Sequence, residues 1–111
     1  MAHYVPERGD LIALTFDPQS GHEQKGRRLA LVISHYLFNK NNGLAIVCPI
    51  TTTERGFPFH VALAECPKVT GFVMVEQVKS IDFRARNAKR IVNASGPVLE
   101  EVLSILEACI Y

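Results

Sequence analysis

The chain lacks most of the sequence features by which a chemistry is usually identified. Its 111 residues include no tryptophan, and its cysteines, Cys48, Cys66 and Cys109, are odd in number and widely spaced. No Cys-x-x-Cys pair and no Cys/His ligand spacing occurs. This pattern argues against a disulfide framework or a zinc site. It favours buried free thiols in a reducing cytoplasm.

The chain also lacks a charge excess and a long apolar run. Twelve basic residues face eleven acidic ones, and the net charge is +1. No overall basic field therefore marks a nucleic-acid binder, and any such site must come from local clustering. The N-terminus, MAHYVPERGD, has no apolar core of the kind found in signal peptides, and no apolar run is long enough to span a bilayer. We expect a cytoplasmic protein that does not cross a membrane.

Three families of catalytic motif are missing as well. No serine lies in a nucleophile elbow, no glycine-rich loop could cradle phosphates, and no His/Asp/Glu set has metal-ligand spacing. Hydride transfer, NTP hydrolysis and metal-dependent hydrolysis are therefore unsupported. We expect neither a cofactor nor a metal.

What the sequence does contain is the pattern of a small β protein. A chain of this length forms one domain, residues 1–111, and can bury a sufficient core without disulfides. Apolar and alternating segments predict strands at residues 10–16, 29–34, 44–51, 58–63, 71–80 and 88–92, with a turn or half-turn of helix at 36–43. An amphipathic helix is predicted at 97–110, with Ser95 as its N-cap. Pro49 inside a strand indicates an edge position or a bulge. The fold class is mainly β with a C-terminal helix, a small antiparallel barrel or strongly bent sheet.

The loop at residues 17–28, DPQSGHEQKGRR, is longer than a chain reversal needs. It is rich in titratable and donor groups, namely His22, Glu23, Gln24, Lys25, Arg27 and Arg28. Such a loop between two strands is a candidate functional site. The alternative interpretation is a solvated hairpin loop.

The available groups are acids, bases, guanidinium groups and hydroxyls, a set that suits phosphodiester cleavage in RNA. The 2′-hydroxyl is the nucleophile, so the protein must supply a base, charge for the phosphorane and a proton for the 5′-oxygen. Arginine is the preferred clamp for phosphate, and a threonine hydroxyl can donate to a non-bridging oxygen.

Several ordered motifs resemble the MazF/PemK (Kid) family of toxin–antitoxin endoribonucleases. They are FDPQSGHEQKGRRLALVIS, CPITT, GFPF and GFVMVEQVKSIDFRARNAKR, and the resemblance runs from about Val5 to the C-terminal helix. It implies an SH3-like, CcdB/PemK-type β-barrel that forms a homodimer. It also implies metal-independent cleavage of single-stranded RNA at a short sequence, leaving 2′,3′-cyclic phosphate and 5′-hydroxyl ends. The implied partner is a cognate antitoxin with a disordered acidic tail.

The resemblance also implies the catalytic residues. Arg28 ends the family's G-x-E-Q-x-G-x-R loop and Thr51 follows its proline-bearing strand, and these two form the family's central catalytic pair. Glu23 matches a residue that the family needs, and His22 matches a histidine of the PemK/Kid branch. Because a guanidinium stays protonated, Arg28 is best interpreted as a phosphorane stabiliser. Glu23 and His22 remain the two candidates for the general base.

A second group of residues is expected to read bases and hold phosphates. The acid before a glutamine in the PemK/Kid branch matches Glu76, but Met74 stands where that branch has an arginine, so the MazF-type set is favoured. The candidate RNA-binding residues are Ser20, Gln24, Lys25, Glu76, Gln77, Lys79, Arg84 and Arg86.

Two positions depart from the family pattern. Leu29 stands where a proline usually follows the catalytic arginine, and Ser34-His35 replaces Ser-Pro. A homologue that only binds antitoxin is therefore one alternative. A CcdB-like gyrase-binding toxin is another, although the E-Q-x-G-x-R loop argues against it.

Overall fold

A computed structural model describes residues 3–15, 27–63, 66 and 68–111 of the chain. The elements in chain order are β1 (Asp10–Thr15), β2 (Arg27–Val32), α1 (Tyr36–Asn42), β3 (Ala45–Thr51), β4 (His60–Ala62), β5 (Phe72–Met74), a 3₁₀ turn (Val75–Gln77), β6 (Lys79–Ile81), β7 (Lys89–Asn93) and α2 (Gly96–Ile110). No helix within these ranges is long and apolar enough to cross a membrane.

The strands form one antiparallel, barrel-like sheet that is not closed. Its order is β4-β5-β3-β2-β1-β7, with β6 paired to β3 beside β5. The predicted fold class, mainly β with a C-terminal helix, is confirmed. The strand predicted at 29–34 corresponds to β2, which lies between β1 and β3 because its continuous apolar run is buried on both faces of the sheet.

Two apolar clusters cover the two faces of the sheet. One joins α2, through Val98 and Val102, to residues of β1, β2 and β3 such as Leu31 and Cys48. The second contains their neighbours in sequence, including Ala30 and Val32. Because successive side chains of a strand point to opposite faces, this division assigns a face to every residue of the central strands.

Residues 71–80 were predicted as one long strand, and this is wrong. The segment pairs with Ile50 and Thr51 as β5, turns once as a 3₁₀ turn, and then pairs with 45–47 as β6. The turn is held by the Val78 amide, which donates to the Val75 carbonyl at 3.2 Å. Of the two alternatives predicted for Pro49, an edge position or a bulge, the edge strand is wrong, because β3 has partners on both sides. Pro49 lies between the residues paired with β6 and those paired with β5, where a missing N–H disturbs the ladder least.

The two helices begin and end where the local chemistry indicates. The predicted half-turn at 36–43 is a seven-residue helix, and Gly43 ends it with a φ of 74°. The side chain of Asn39 is fully buried and donates to the carbonyl oxygens of Pro6 and Ser34 at 2.8 and 3.2 Å. Helix α2 has the predicted N-cap, since Ser95 Oγ accepts from the Val98 amide at 3.4 Å.

The three cysteines are free, but they are not all buried. Cys48 is buried, Cys66 is half-buried and Cys109 is exposed. The expectation of a buried thiol is therefore wrong for Cys109, which lies on the solvent side of α2. Burial, with a smaller effect of the Glu76 carboxylate, raises the pKa of the Cys48 thiol to about 12.

Candidate functional site

A small cavity of about 80 Å³ lies between the ends of β1, β2 and β3 and the chain around β6. Its wall includes apolar residues of the second cluster and three cationic side chains, those of Arg28, Lys79 and Arg86. Three cations around one small cavity attract an anion, and guanidinium groups favour a phosphate. The structure thus brings together three residues that are widely separated in the sequence.

The strand register relates Arg28 to Thr51. In the β2–β3 pair, Ala30 lies opposite Pro49 and Leu31 opposite Cys48. Arg28 lies two residues before Ala30 and Thr51 lies two residues after Pro49, so by alternation both side chains belong to the face of the sheet that carries Ala30 and Pro49. Arg28 lines the cavity, and Thr51 directly follows Pro49 and Ile50, which also line it. An arginine and a threonine from two different strands thus share one face of the sheet.

The Thr51 hydroxyl is oriented by its own chain. Its oxygen accepts a hydrogen bond from the Thr53 amide at 3.1 Å, which leaves the hydroxyl proton available to another acceptor. Gly71 presses against the same residue, since a Cβ atom at Gly71 would lie 2.5 Å from the Thr51 carbonyl oxygen. Gly71 has a φ of 131°, which side chains rarely allow. The position of Thr51 therefore depends on a glycine twenty residues away.

Arg86 projects from a turn that is tied down at several points. The Arg86 amide donates to the Asp82 carbonyl at 3.1 Å, and the Ala85 amide donates to the Asp82 carboxylate at 3.0 Å. The Arg86 carbonyl in turn accepts from the Thr15 amide at 2.8 Å, which joins the turn to the end of β1. Phe83 is buried beneath it. These bonds fix the backbone from which the Arg86 side chain projects toward the cavity.

Arg27 has a structural role in this arrangement that differs from the role of Arg28, although the two are adjacent in the sequence. Its guanidinium donates to Thr15 Oγ1 at 3.1 Å, to the Ala13 carbonyl at 3.0 Å and to the Asn87 carbonyl at 2.9 Å. Arg27 therefore connects β2, β1 and the Arg86 turn. Residues 27 and 28 are predicted as part of the loop, but they are the first residues of β2. In a strand, adjacent side chains point to opposite faces, and this alternation would have distinguished the two arginines.

The two departures from the family pattern have local explanations. Leu29 pairs with Ala13, and its side chain packs on the first cluster, so strand pairing and burial restrain the residue that follows Arg28. Ser34 hydrogen-bonds Asn39 at 2.5 Å and accepts from the Ile46 amide at 2.8 Å. Packing therefore restrains Leu29, and these hydrogen bonds restrain Ser34, the residue directly before His35, where the family has the proline that would restrict φ.

Five of the predicted site residues fall in a part of the chain that the structure does not describe. Ser20, His22, Glu23, Gln24 and Lys25 lie outside the described residues.

Arg84 does not line the cavity of Arg86, although both are candidate RNA-binding residues and lie two positions apart. It borders two other depressions, near His3 and Phe83. Arg90, four residues after Arg86, pairs with the buried carboxylate of Asp10, with Nε and Oδ1 3.3 Å apart. These three arginines, close in the sequence, therefore lie on separate parts of the surface.

Glu76 and Gln77 lie in the 3₁₀ turn, and Glu76 has a partner that the sequence did not suggest. Its carboxylate oxygen Oε2 lies 3.1 Å from Nε2 of His60, a residue to which the sequence assigned no role. His60 was missed because it lies between apolar residues and sixteen positions from Glu76. Within the described part of the chain, no group of three or more His, Cys, Asp or Glu residues could hold a metal ion.

Comparison with known proteins assigns the chain to a family. Residues 7–110 match the family model described as a PemK-like, MazF-like toxin of type II toxin–antitoxin systems. The chain is 40% identical to the endoribonuclease toxin MazF of Escherichia coli strain K12, over 97% of this chain and 93% of that protein. It is 46% identical to the endoribonuclease toxin ChpB of the same strain, over 94% and 93%.

Solved structures agree with these matches. The structure of MazE-MazF (Form-II) from Deinococcus radiodurans is similar with a TM-score of 0.89 and 42% identity, covering 97% of both chains. A mycobacterial endoribonuclease in complex with its cognate antitoxin is similar in fold, with a TM-score of 0.77 at 18% identity.

Proposed function

Since the chain belongs to the PemK-like, MazF-like toxins of type II toxin–antitoxin systems, we propose that it is a sequence-specific, metal-independent endoribonuclease. Its substrate is single-stranded RNA, and it acts in the cytoplasm, where messenger RNA is found. The observation that carries the proposal is the cavity lined by Arg28, Lys79 and Arg86, with Thr51 on the same face of the sheet by strand alternation. The resemblance of the chain to several named endoribonucleases supports it.

The reaction we propose uses the nucleophile of the substrate itself. The 2′-oxygen forms a bond to phosphorus, the bond from phosphorus to the 5′-oxygen breaks, and the products carry a 2′,3′-cyclic phosphate and a 5′-hydroxyl. Glu23 or His22 takes the proton of the 2′-hydroxyl, and the conjugate acid returns a proton to the leaving oxygen. Arg28 stabilises the phosphorane, and the Thr51 hydroxyl donates to a non-bridging oxygen.

The first experiment compares Arg28 and Thr51 with the neighbouring Thr52. RNA of mixed sequence is incubated with the protein in EDTA, and the product ends are tested for cyclic phosphate. We expect Arg28→Ala and Thr51→Ala each to lower cleavage on the order of 10²-fold or more, because each removes a donor to the transition state. Thr52→Ala, at an exposed neighbouring position, is the control and retains activity. Intact RNA at high wild-type concentration would refute the proposal.

A second pair of variants tests whether the cavity, rather than general basic charge, binds the phosphate. Arg84 and Arg86 lie on one turn, but only Arg86 lines the cavity with Arg28. We expect Arg86→Ala to lower kcat/KM roughly tenfold or more, and Arg84→Ala to change it little. Equal losses in the two variants would show that the turn acts only as a basic surface.

We also propose that the protein acts as a homodimer. An apolar cavity of about 400 Å³ between α1 and α2 is lined by Phe38, Leu103, Leu106 and Ile110, and Ile110 is 63% exposed. An exposed apolar patch of this kind is typical of an interface between subunits. Light scattering should give twice the chain mass, and Ile110→Asp should give the monomer, whereas Glu107→Gln on the same helix should leave the dimer intact.

The partner we propose is an antitoxin with a disordered acidic tail that covers the cationic cavity. The similarity to MazE-MazF structures supports a partner of this class, and an acidic chain would compete with RNA phosphates for the same cations. An acidic peptide should therefore inhibit cleavage by the wild type, and inhibition should weaken in Arg86→Ala. Inhibition that is equal in both proteins would contradict this location.

A further inference from the structure

The His60–Glu76 pair lies apart from the catalytic pair but on the same sheet surface. Thr51 pairs with Phe72, and His60 pairs with Met74 across β5. Val73 lies between Phe72 and Met74 in β5, and Val61 follows His60 in β4. Both valines point into the first cluster. By alternation, the side chains of Thr51, Phe72, Met74 and His60 share the opposite face. Two strand spacings, or ~10 Å, separate the β3 and β4 ends of this surface.

The imidazole of His60 is buried, although its partner Glu76 is partly exposed to solvent. Its side chain is only 4% exposed, while the Glu76 side chain that it contacts is 33% exposed. The ring of Phe57 covers it, with the ring centroids 5.1 Å apart and the planes tilted by 53°. A buried imidazole needs a hydrogen-bond partner, and Glu76 supplies one.

The contacts determine how the pair is oriented. A carboxylate only accepts, so Nε2–H of His60 donates to Oε2 of Glu76. The other ring nitrogen, Nδ1, is buried and has no hydrogen-bond partner among the residues that the structure describes. The bond to Glu76 is therefore the one polar contact recorded for this ring in the described chain. It restrains one carboxylate oxygen and leaves Oε1 for another donor.

Phe57 gives this position a second property. Its ring is 49% exposed although it covers His60. An exposed aromatic ring beside a fixed carboxylate offers both parts of a site for an unstacked base, a surface for stacking and an acceptor for its edge. The same face leads across β5 to Thr51, where the proposed cleavage occurs.

We propose that His60 is a positioning residue that holds the Glu76 carboxylate to recognise a nucleobase bearing an amino group, with Phe57 as the ring on which that base stacks. The inference rests on the proposed ribonuclease function and names the class of base read beside the cleaved bond. A carboxylate accepts from the amino groups of cytosine, adenine or guanine. Uracil has no amino group, and its single edge donor, N3–H, lies between two carbonyl oxygens that repel a carboxylate, so uracil is disfavoured at this position.

The test measures base preference rather than activity alone. An RNA library with randomised positions is cleaved, and the ends are sequenced to give a preference at each position around the cut. The wild type should disfavour uracil by roughly tenfold at one position close to the cut. Glu76→Gln, which keeps the shape and replaces one acceptor by a donor, should lower that ratio roughly tenfold. Glu54→Gln, an exposed acid, is the matched control and should leave it unchanged.

Two variants of His60 separate positioning from folding. His60→Leu keeps the volume but removes the donor, and should reduce the ratio as Glu76→Gln does. His60→Gln retains an N–H donor and should restore most of it. On a fixed oligonucleotide the losses should fall on KM rather than kcat, since the contact is to a base and not to the phosphorane.

The outcomes distinguish this inference from the function on which it rests. Wild-type protein that cleaves no RNA overturns both. Wild-type protein that cleaves with a base preference unaffected by Glu76→Gln overturns the inference alone. A preference that changes in Glu76→Gln but not in His60→Leu shows that Glu76 reads the base without His60, which also overturns it.

Discussion

Gly71 offers a way to move Thr51 without altering any group of the proposed site. Its carbonyl oxygen accepts a hydrogen bond from the Leu63 amide at 2.9 Å, and its backbone lies against Thr51. A Cβ atom added there would meet the Thr51 carbonyl oxygen at 2.5 Å and Ile50 Cγ2 at 3.2 Å. Real Cβ atoms do not approach backbone oxygens so closely, so Gly71→Ala must shift β3 or β5. The shift acts directly on the residue that we propose donates to the phosphate.

The expected cost has two parts. A φ of 131° is unfavourable for alanine by about 1–3 kcal/mol. Displacing packed backbone adds about 1–2 kcal/mol. A total of about 3 kcal/mol corresponds to a fall in Tm on the order of 12 °C for a domain of this size. At temperatures where the variant is folded, we expect RNA cleavage to fall at least ~10-fold, because a misplacement of about 1 Å in a catalytic group has a large effect.

Gly43→Ala is the matched control. Gly43 also has a positive φ, 74°, but a Cβ atom there has no neighbour within 4 Å. The Gly43→Ala variant therefore has the backbone strain without the steric clash. We expect it to lose about 1 kcal/mol of folding free energy, which lowers Tm by ~4 °C. Thermal melts and cleavage rates of the two variants are compared. A Gly71→Ala protein with the Tm and the activity of the control would refute the proposed dependence of Thr51 on Gly71.

Three further predictions concern groups outside the site. Asn39→Ala should lower the free energy of unfolding by about 2–4 kcal/mol in denaturant titrations, because it leaves buried carbonyls without donors; Asn42→Ala, on the exposed side of the same helix, should cost less than 1 kcal/mol. Because the pKa of Cys48 is raised to about 12, iodoacetamide at pH 9 should modify Cys109 and spare Cys48 until the protein unfolds, and equal rates would contradict its burial. Burial and its bond to a buried carboxylate raise the pKa of Tyr4 above 10.0, so its contribution to stability is present below pH 10 and lost above it; Tm should fall more steeply there in the wild type than in Tyr4→Phe.

Much of the fold could be predicted from local patterns. Alternation and apolar runs located the strands, and the period of the last segment, with Ser95 before it, located α2. The errors occurred where tertiary pairing overrides local preference. Residues 71–80 have the composition of one strand, but they pair with β3 as two short strands that are separated by a turn. No property of the segment itself marks where its partner strand changes.

The candidate site was predicted as a set of residue types, and the structure rearranges part of that set. Arg28, Lys79 and Arg86 line one cavity, whereas Arg84 lies elsewhere and Arg90 pairs with a buried carboxylate. Arginines that are close in sequence looked equivalent because charge alone was compared. Their separate environments follow from which side of a turn or strand each occupies.

The sequence by itself determined the family, the β-rich fold and the kinds of group available for chemistry, since these depend on motifs, periodicity and composition. Only the tertiary structure decided which of those groups face one another. Side chains alternate between the faces of a strand, so a shift in register of one residue sends every side chain to the other face. Arg28 and Thr51 share one face of the sheet, and His60 lies beside Glu76, because the strands pair in one register, and the apolar clusters on the two faces of the sheet set that register.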